Sequence, residues 1–310
     1  MVVALLLIVV VVGTVVFHFL SPWWWTPIAS NWGYVDDTIL ITFWITGFVF
    51  VAVGLFMAYC VWRYRHQEGR QAAYEPENKK LEWWLTIGTT VGVAGMLAPG
   101  LFVWHQFVTV PDEALEIEAV GQQWLWTFRL PGEDGLLGTS EPRRVNYENP
   151  FGLNPDDPNG QDDVVIESDE LHLQIDRPVK VLLRSIDVLH DFYVPQFRAK
   201  MDMVPGMITY FWLTPTTAGT FEILCFELCG VGHNEMRGTV VVEDESAYQA
   251  WLQEQITFAE YLAQARKATG NDQAGKATEN EMTPVLGEGE TDSAAIRISA
   301  GESQLELDEE

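Results

Sequence analysis

The chain has 310 residues, 48% of them hydrophobic, and carries 44 acidic against 18 basic side chains, a formal net charge of −26. That balance argues against a claim on nucleic-acid phosphates, which needs a basic face, and the lack of a Cys-x-x-Cys-His motif excludes a c-type haem carried by this sequence. The length suits one ordinary domain plus membrane segments, because the apolar residues are concentrated in the first third.

Three apolar runs open the sequence, at residues 2–20, 39–62 and 83–110, each long enough to cross about 30 Å of hydrocarbon as a helix. The first lacks a basic n-region and an obvious Ala-x-Ala cleavage site, so a retained helix is expected, with a processed leader as the alternative. Two or three transmembrane helices follow. Trp23, Trp24 and Trp25, with Trp83 and Trp84, sit at the ends of the runs, where amphipathic rings prefer the headgroup region. Arg63, Arg65, Arg70, Lys79 and Lys80 separate the second run from the third, whereas Asp36 and Asp37 precede the second with no basic residue nearby. The positive-inside rule then places residues 63–82 in the cytoplasm, and residues 21–38 outside together with everything after 110. Glu82 opens the third run as a carboxylate favoured by the helix dipole. Cys60 lies alone in the second run and reads as inert packing.

From Ala114 the texture changes to short alternating runs. Leu115-Ile117-Ala119, Leu171-Leu173-Ile175, Val179-Val181-Leu183, Ile208-Tyr210-Trp212, Phe221-Ile223 and Thr239-Val241 predict an antiparallel sandwich over residues 111–243. Within Gln123-Trp124-Leu125-Trp126-Thr127-Phe128, two tryptophans at alternate positions of a strand read first as packing. Residues 131–163, rich in Gly, Pro, Asn and Asp, predict a long loop or a small excursion. Tyr248, Trp251, Leu252 and Ile256 have helix-like spacing within residues 244–267. Residues 268–310 have few aromatics and no apolar period, which predicts a disordered acidic tail. The acidic exterior would steer a basic soluble partner toward the domain at low salt.

The chemistry lies in Cys225-Phe226-Glu227-Leu228-Cys229-Gly230-Val231-Gly232-His233-Asn234-Glu235-Met236, where two thiols, an imidazole and a thioether share twelve residues. Outside the cytoplasm a Cys pair is most often a disulfide or incidental. Zinc is the next reading, but it rarely takes thioether, whereas copper accepts thiolate, imidazole and a weak axial Met. There is one thiolate too many for a single blue-copper ion. Two thiolates could each bridge two copper ions, an arrangement that needs a second imidazole, and His190 in Asp187-Val188-Leu189-His190 supplies one. Asp187 could orient His190 from behind or belong to an acidic docking face.

These residues resemble subunit II of the haem-copper cytochrome c oxidases. The resemblance rests on Asp187 to His190, Val194-Pro195, Asp202 with Pro205-Gly206, Gly219-Thr220-Phe221, and the cluster from Cys225 to Met236, and spans residues 36–243. It implies a membrane-anchored α+β chain whose outer domain is a cupredoxin-like β-sandwich holding the binuclear copper centre called CuA. Position by position, Cys225 and Cys229 correspond to the bridging thiolates, His190 and Met236 to ligands of one copper, and His233 with the backbone carbonyl of Glu227 to ligands of the other. The Glu227 side chain would face a magnesium ion at the boundary with subunit I. Trp124 takes the place where an electron enters from cytochrome c, and Glu82 the mouth of a proton-uptake path. Phe226, Leu125 and Leu85 depart from the family's usual residues at their positions.

The resemblance thus implies an aerobic terminal oxidase in a bacterial plasma membrane, its domain on the periplasmic side. Oxidase subunit I, other oxidase subunits, cytochrome c and the lipid bilayer are the expected partners. The copper subunit of a nitric-oxide-reducing complex is the alternative, since substrate choice is made in the catalytic subunit. A membrane-anchored copper-delivery protein is a further one, although it predicts a single anchor and no Met236.

Overall fold

The structure is a computed structural model, and it describes the chain except residues 22–25, 72, 73, 75, 147, 148, 167 and 269–310. The expectations for Trp23, Trp24, Trp25 and nearly all of the acidic tail lie outside the described residues. Residues Met1–Ala265 form one compact unit.

Three helices lead the chain: α1 (Val2–Leu20), α2 (Gly33–Arg63) and α3 (Lys79–Val108), each long and apolar enough to cross a membrane. Two start earlier than their apolar runs. α2 begins at Gly33 and takes Asp36 into its first turn, where a carboxylate meets the positive end of the dipole. α3 begins at Lys79 because the Asn78 side chain accepts from the Leu81 amide at 3.1 Å and caps it. α1 packs on α2 through Ala4, Val11 and Ala58, and Gly54 has no Cβ where Val11 presses in: one built there would lie 2.5 Å from Val11 Cγ2.

The domain beyond them is a sandwich of two five-stranded sheets. β1 (Leu115–Gln122), β2 (Leu125–Leu130), β3 (Val164–Ile166), β5 (Val179–Ser185) and β8 (Thr209–Leu213) make one, in the order β3-β2-β1-β5-β8. β4 (Glu170–Gln174), β6 (His190–Val194), β7 (Ala199–Met203), β9 (Gly219–Cys225) and β10 (Arg237–Glu243) make the other, in the order β4-β10-β9-β6-β7. Most neighbours are antiparallel as expected. Each sheet also holds one parallel pair, β1 with β5 and β10 with β4, because the chain crosses between sheets before it returns. Trp126, Phe192 and Phe211 pack against one another between the sheets, with centroids 5.6 and 5.7 Å apart.

Of the two readings for residues 131–163, the structure takes the small excursion, folded onto the sandwich. Arg129, buried on β2, holds them: it donates to Gly138 O at 2.9 Å and pairs with Asp163 at 2.9 Å and Glu118 at 2.5 Å. Arg184 pairs with Glu118 from β5. Burial pushes the Asp163 carboxyl up to about 6 despite Arg129. Phe151 and Leu153 from the excursion pack with Val120 and Phe258 in a second small core.

The helix expected to the end at 267 is two, α4 (Glu245–Glu254) and α5 (Phe258–Ala268). Gln255 is extended, and Thr257 and Glu260 exchange hydrogen bonds of 3.0 and 3.3 Å that start a new helix as a capping box. On α4, Trp251 stacks on His172 at 4.2 Å, and the imidazole also meets Glu243 at 2.6 Å and Glu170 at 3.0 Å.

Candidate metal centre

β9 ends at Cys225 and β10 starts at Arg237, so the predicted ligand segment is the loop between two paired strands. The loop folds back on itself, with the Cys225 amide donating to Met236 O at 3.2 Å. Register does the rest: β6 pairs with β9 through Phe192 opposite Cys225, which brings His190 at the start of β6 beside the loop.

The donor atoms converge. Cys225 Sγ lies 3.7 Å from Cys229 Sγ and 3.8 Å from His190 Nδ1, and the three residues are buried with their donor atoms within 4.8 Å of one another. Cys229 Sγ lies 3.5 Å from His233 Nδ1 and 3.9 Å from Met236 Sδ. The Cys225 thiol donates to Glu227 O at 3.3 Å. Both cysteines are free, at a separation well beyond the roughly 2.05 Å of a disulfide.

Electrostatics prepare the thiols unequally. Burial opposes the Cys225 thiolate, but hydrogen bonds from His190 and from the backbone at Asp191 and Glu227 outweigh it and draw the group down to about 6. Cys229 goes the other way, pushed up to about 12 by burial and by its Cys225 neighbour. His190 is buried, which disfavours its charge, yet Cys225 and Asp187 raise its pKa on balance. His190 Nε2 meets Asp187 Oδ1 at 2.8 Å, which leaves Nδ1 facing the sulfurs. Asp187 also accepts from the amides of Gln123 at 2.7 Å and Val188 at 2.6 Å, and these bonds with His190 hold its carboxyl below the usual range against burial.

Trp124 and Trp126 part company. Trp126 lies on β2 and is fully buried, whereas Trp124 sits in the turn between β1 and β2 and is 36% exposed. Its indole Nε1 lies 3.3 Å from Cys229 O, which also accepts from Gln123 Nε2 at 2.8 Å. The ring rests on Gly232, where a Cβ would lie 2.4 Å from Trp124 Cδ2, so only glycine lets it lie flat over the loop. Leu125 at the start of β2, Val188 and Leu189 just before β6, and Val231 on the β9–β10 loop are exposed as well.

The remaining predicted residues are elsewhere. Glu227 is half-exposed on the loop, with Lys200 4.0 Å from its carboxylate. Glu82 is exposed in the first turn of α3, about 40 Å along that helix from its outer end. Sequence reasoning missed Gln123, which ties the Trp124 turn to both Asp187 and Cys229. It also missed Asp191, next to His190, which burial pushes up to about 7 although Lys200 Nζ lies 2.8 Å away. The Gly-x-Gly at 230–232 was the available signal for a close approach over the loop.

With this geometry in place, comparison with known proteins is specific. Residues 115–244 match the family model described as cytochrome c oxidase subunit II, periplasmic domain. The chain is 71% identical over 259 residues to the alternative cytochrome c oxidase subunit 2 of Bradyrhizobium diazoefficiens, a match that covers 84% of this chain and 94% of that protein. It is 29% identical over 238 residues to cytochrome c oxidase subunit 2 of Cereibacter sphaeroides, covering 74% of this chain and 77% of the other. Among solved structures, the periplasmic domain of cytochrome oxidase subunit II from Bradyrhizobium japonicum aligns at 25% identity and a TM-score of 0.35, over 47% of this chain and 95% of that one. A chain with three apolar helices, a sandwich head of this kind and a relative this similar along nearly its whole length belongs to the cytochrome c oxidase subunit II family, as the membrane-anchored subunit of a haem-copper oxidase with its head on the outer side.

Proposed function

We propose that the chain receives electrons from cytochrome c at a binuclear copper centre and passes them to haem in subunit I of an aerobic terminal oxidase, where oxygen reduction is coupled to proton pumping. The observation that carries this reading is the convergence of two free thiols, two imidazoles and a thioether at one end of the sandwich. That soft donor set fits copper, and Met236 argues against zinc. Cys225, Cys229, His190, His233, Met236 and the Glu227 carbonyl would hold the two ions. Bound there, copper supplies a one-electron couple shared over two metals and two sulfurs.

The chain's own residues do the rest, and none of them breaks a bond of substrate. Asp187 sets the ring orientation of His190 and leaves Nδ1 free as a donor. Burial of His190, Cys225, Cys229 and Met236 excludes water from the donors. Trp124 offers a half-exposed aromatic face that is hydrogen-bonded to Cys229, a short route from the surface to a sulfur ligand. Residues 121–126, 186–190 and 229–234 around it contain one acidic residue and no Lys or Arg, and that residue, Asp187, is turned inward. Contact with the donor protein is therefore apolar, while the net charge of −26 acts at longer range as steering. Phe226 and Leu228 are exposed beside Glu227 and suit the boundary with subunit I, where the Glu227 carboxylate would face magnesium. Glu82 would stand at the cytoplasmic mouth of a proton path. The membrane is the plasma membrane of a bacterium.

The deciding experiment is an electron paramagnetic resonance spectrum of the whole chain loaded with copper. Hyperfine structure from one electron shared over two copper nuclei is expected; a single-copper signal, or none, would overturn the reading. Trp124→Phe should leave that spectrum unchanged and slow reduction by cytochrome c several-fold in the assembled oxidase, whereas a parental rate would remove Trp124 from the route.

A further inference from the structure

We infer that Arg198 is a positioning residue: it is the joint that fixes the metal-bearing head over the second membrane helix, and so sets the path of the electron into the membrane. The inference rests on the electron-transfer reading of the metal centre. Arg198 follows the 3₁₀ turn Pro195–Phe197 at the end of β6, with its backbone left-handed at φ 54° and ψ 22°. A non-glycine residue holds that conformation only when its surroundings over-determine it.

The surroundings here do. Nε and Nη2 grip the Asp36 carboxylate as a fork, at 2.7 and 2.8 Å. Nη2 also donates to Thr26 O at 2.8 Å, and Nη1 to Thr26 Oγ1 at 3.1 Å and to Pro195 O at 2.5 Å. Each of the five guanidinium N–H groups thus has a partner. The pair is largely out of water, with side-chain exposures of 14% for Arg198 and 20% for Asp36. Such a bidentate grip carries direction as well as attraction.

Asp36 belongs to the first turn of α2, and the segment before that helix is stitched under the same end of β6. Ala29 N donates to Gln196 O at 2.8 Å and Ser30 Oγ to Phe197 O at 2.8 Å, while Trp32 Nε1 reaches the other sheet and donates to Trp212 O on β8 at 2.8 Å. Trp212 in turn donates to Gln106 O near the end of α3 at 3.1 Å. From this anchorage β6 runs about 17 Å to His190 at its other end. A strand clamped at its base by a membrane helix and ending in a metal ligand transmits the helix's position to the centre.

The test uses the assembled oxidase loaded with copper, and two variants. Asp36→Asn removes the partner from the membrane side; Arg198→Asn removes the fork while tolerating the left-handed backbone. In both, the copper spectrum and the rate of reduction by cytochrome c should match the parent, while transfer from the head to its acceptor in subunit I slows on the order of tenfold, as small misplacements of reacting groups do. Arg198→Lys keeps the charge but loses the fork, and should not restore the rate. Independently of copper, amide hydrogen exchange at residues 26–37 and 194–200 should rise in both variants while residues 219–225 stay protected. Parental internal transfer would overturn the inference, as would an altered copper spectrum in Asp36→Asn, which would place the effect in the centre itself. If Arg198→Asn fails to fold, Asp36→Asn decides. If the parent lacks the two-copper signal, the electron-transfer reading has failed, and the exchange experiment alone decides the joint.

Discussion

Cys225→Ser should give a chain that folds and no longer gains stability from copper. The residue is buried at the end of β9, its sulfur 3.7 Å from Cys229 and 3.8 Å from His190, so one substitution removes a donor that both ions would share. Serine replaces a soft donor drawn down to about 6 with a hydroxyl that stays protonated. A ligand that binds only the folded state stabilises it by RT ln(1 + [L]/Kd), about 4 kcal/mol at a thousand times Kd. Thermal unfolding with and without copper reads this directly. The parent should show the full rise in Tm and the variant almost none, while the copper-free variant stays within about 1 kcal/mol of the copper-free parent. An undiminished rise in the variant would mean that copper binds elsewhere.

Arg129→Ala should be the most damaging change away from the candidate metal centre. It leaves the fully buried Asp163 without the guanidinium that pairs with it at 2.9 Å, and leaves Glu118, equally buried, with Arg184 as its one remaining cationic partner. Breaking a buried ion pair by removing one partner costs about 3–5 kcal/mol, because the desolvated charge that remains is uncompensated. For a domain of this size that is about 10 °C or more in Tm. The excursion at 131–163 should loosen with it, since the Gly138 carbonyl loses the Arg129 donor as well. Adding Asp163→Asn should recover part of the loss by neutralising the stranded carboxylate, while Glu118 keeps Arg184. A loss below about 1 kcal/mol in the single variant would show that water reaches the cluster and that Arg129 does not clamp the excursion.

Some of this chain could be read from its residues alone, and the reason is locality. Among the described residues, the three long helices follow from unbroken apolar runs, and six of the ten strands from alternation, because a period is a property of neighbouring residues. Cys225, Cys229, His233 and Met236 were legible as a soft donor set since one loop supplies them all. β6 and β7 were not read as strands. His190-Asp191-Phe192-Tyr193-Val194 is buried at four of its five positions, which leaves no clean alternation to see. Trp124 and Trp126 look equivalent in sequence, and only the turn at 123–124 exposes one and buries the other.

The residue types determined which donor set the site offers and which segments are long and apolar enough to cross a membrane, since ligand softness and apolar length need no partner to be recognised. Tertiary structure alone decided that Asp187 would aim His190, that Arg129 would gather carboxylates from β1 and from the end of the excursion, and that Arg198 would meet Asp36 across the chain. Asp187 and His190 are three residues apart, and their pairing is one of two readings open in the sequence; the other pairs depend on strand register and on how the sheets sit over the helices, and complementary charges at distant positions leave no local pattern by which the partners could be chosen.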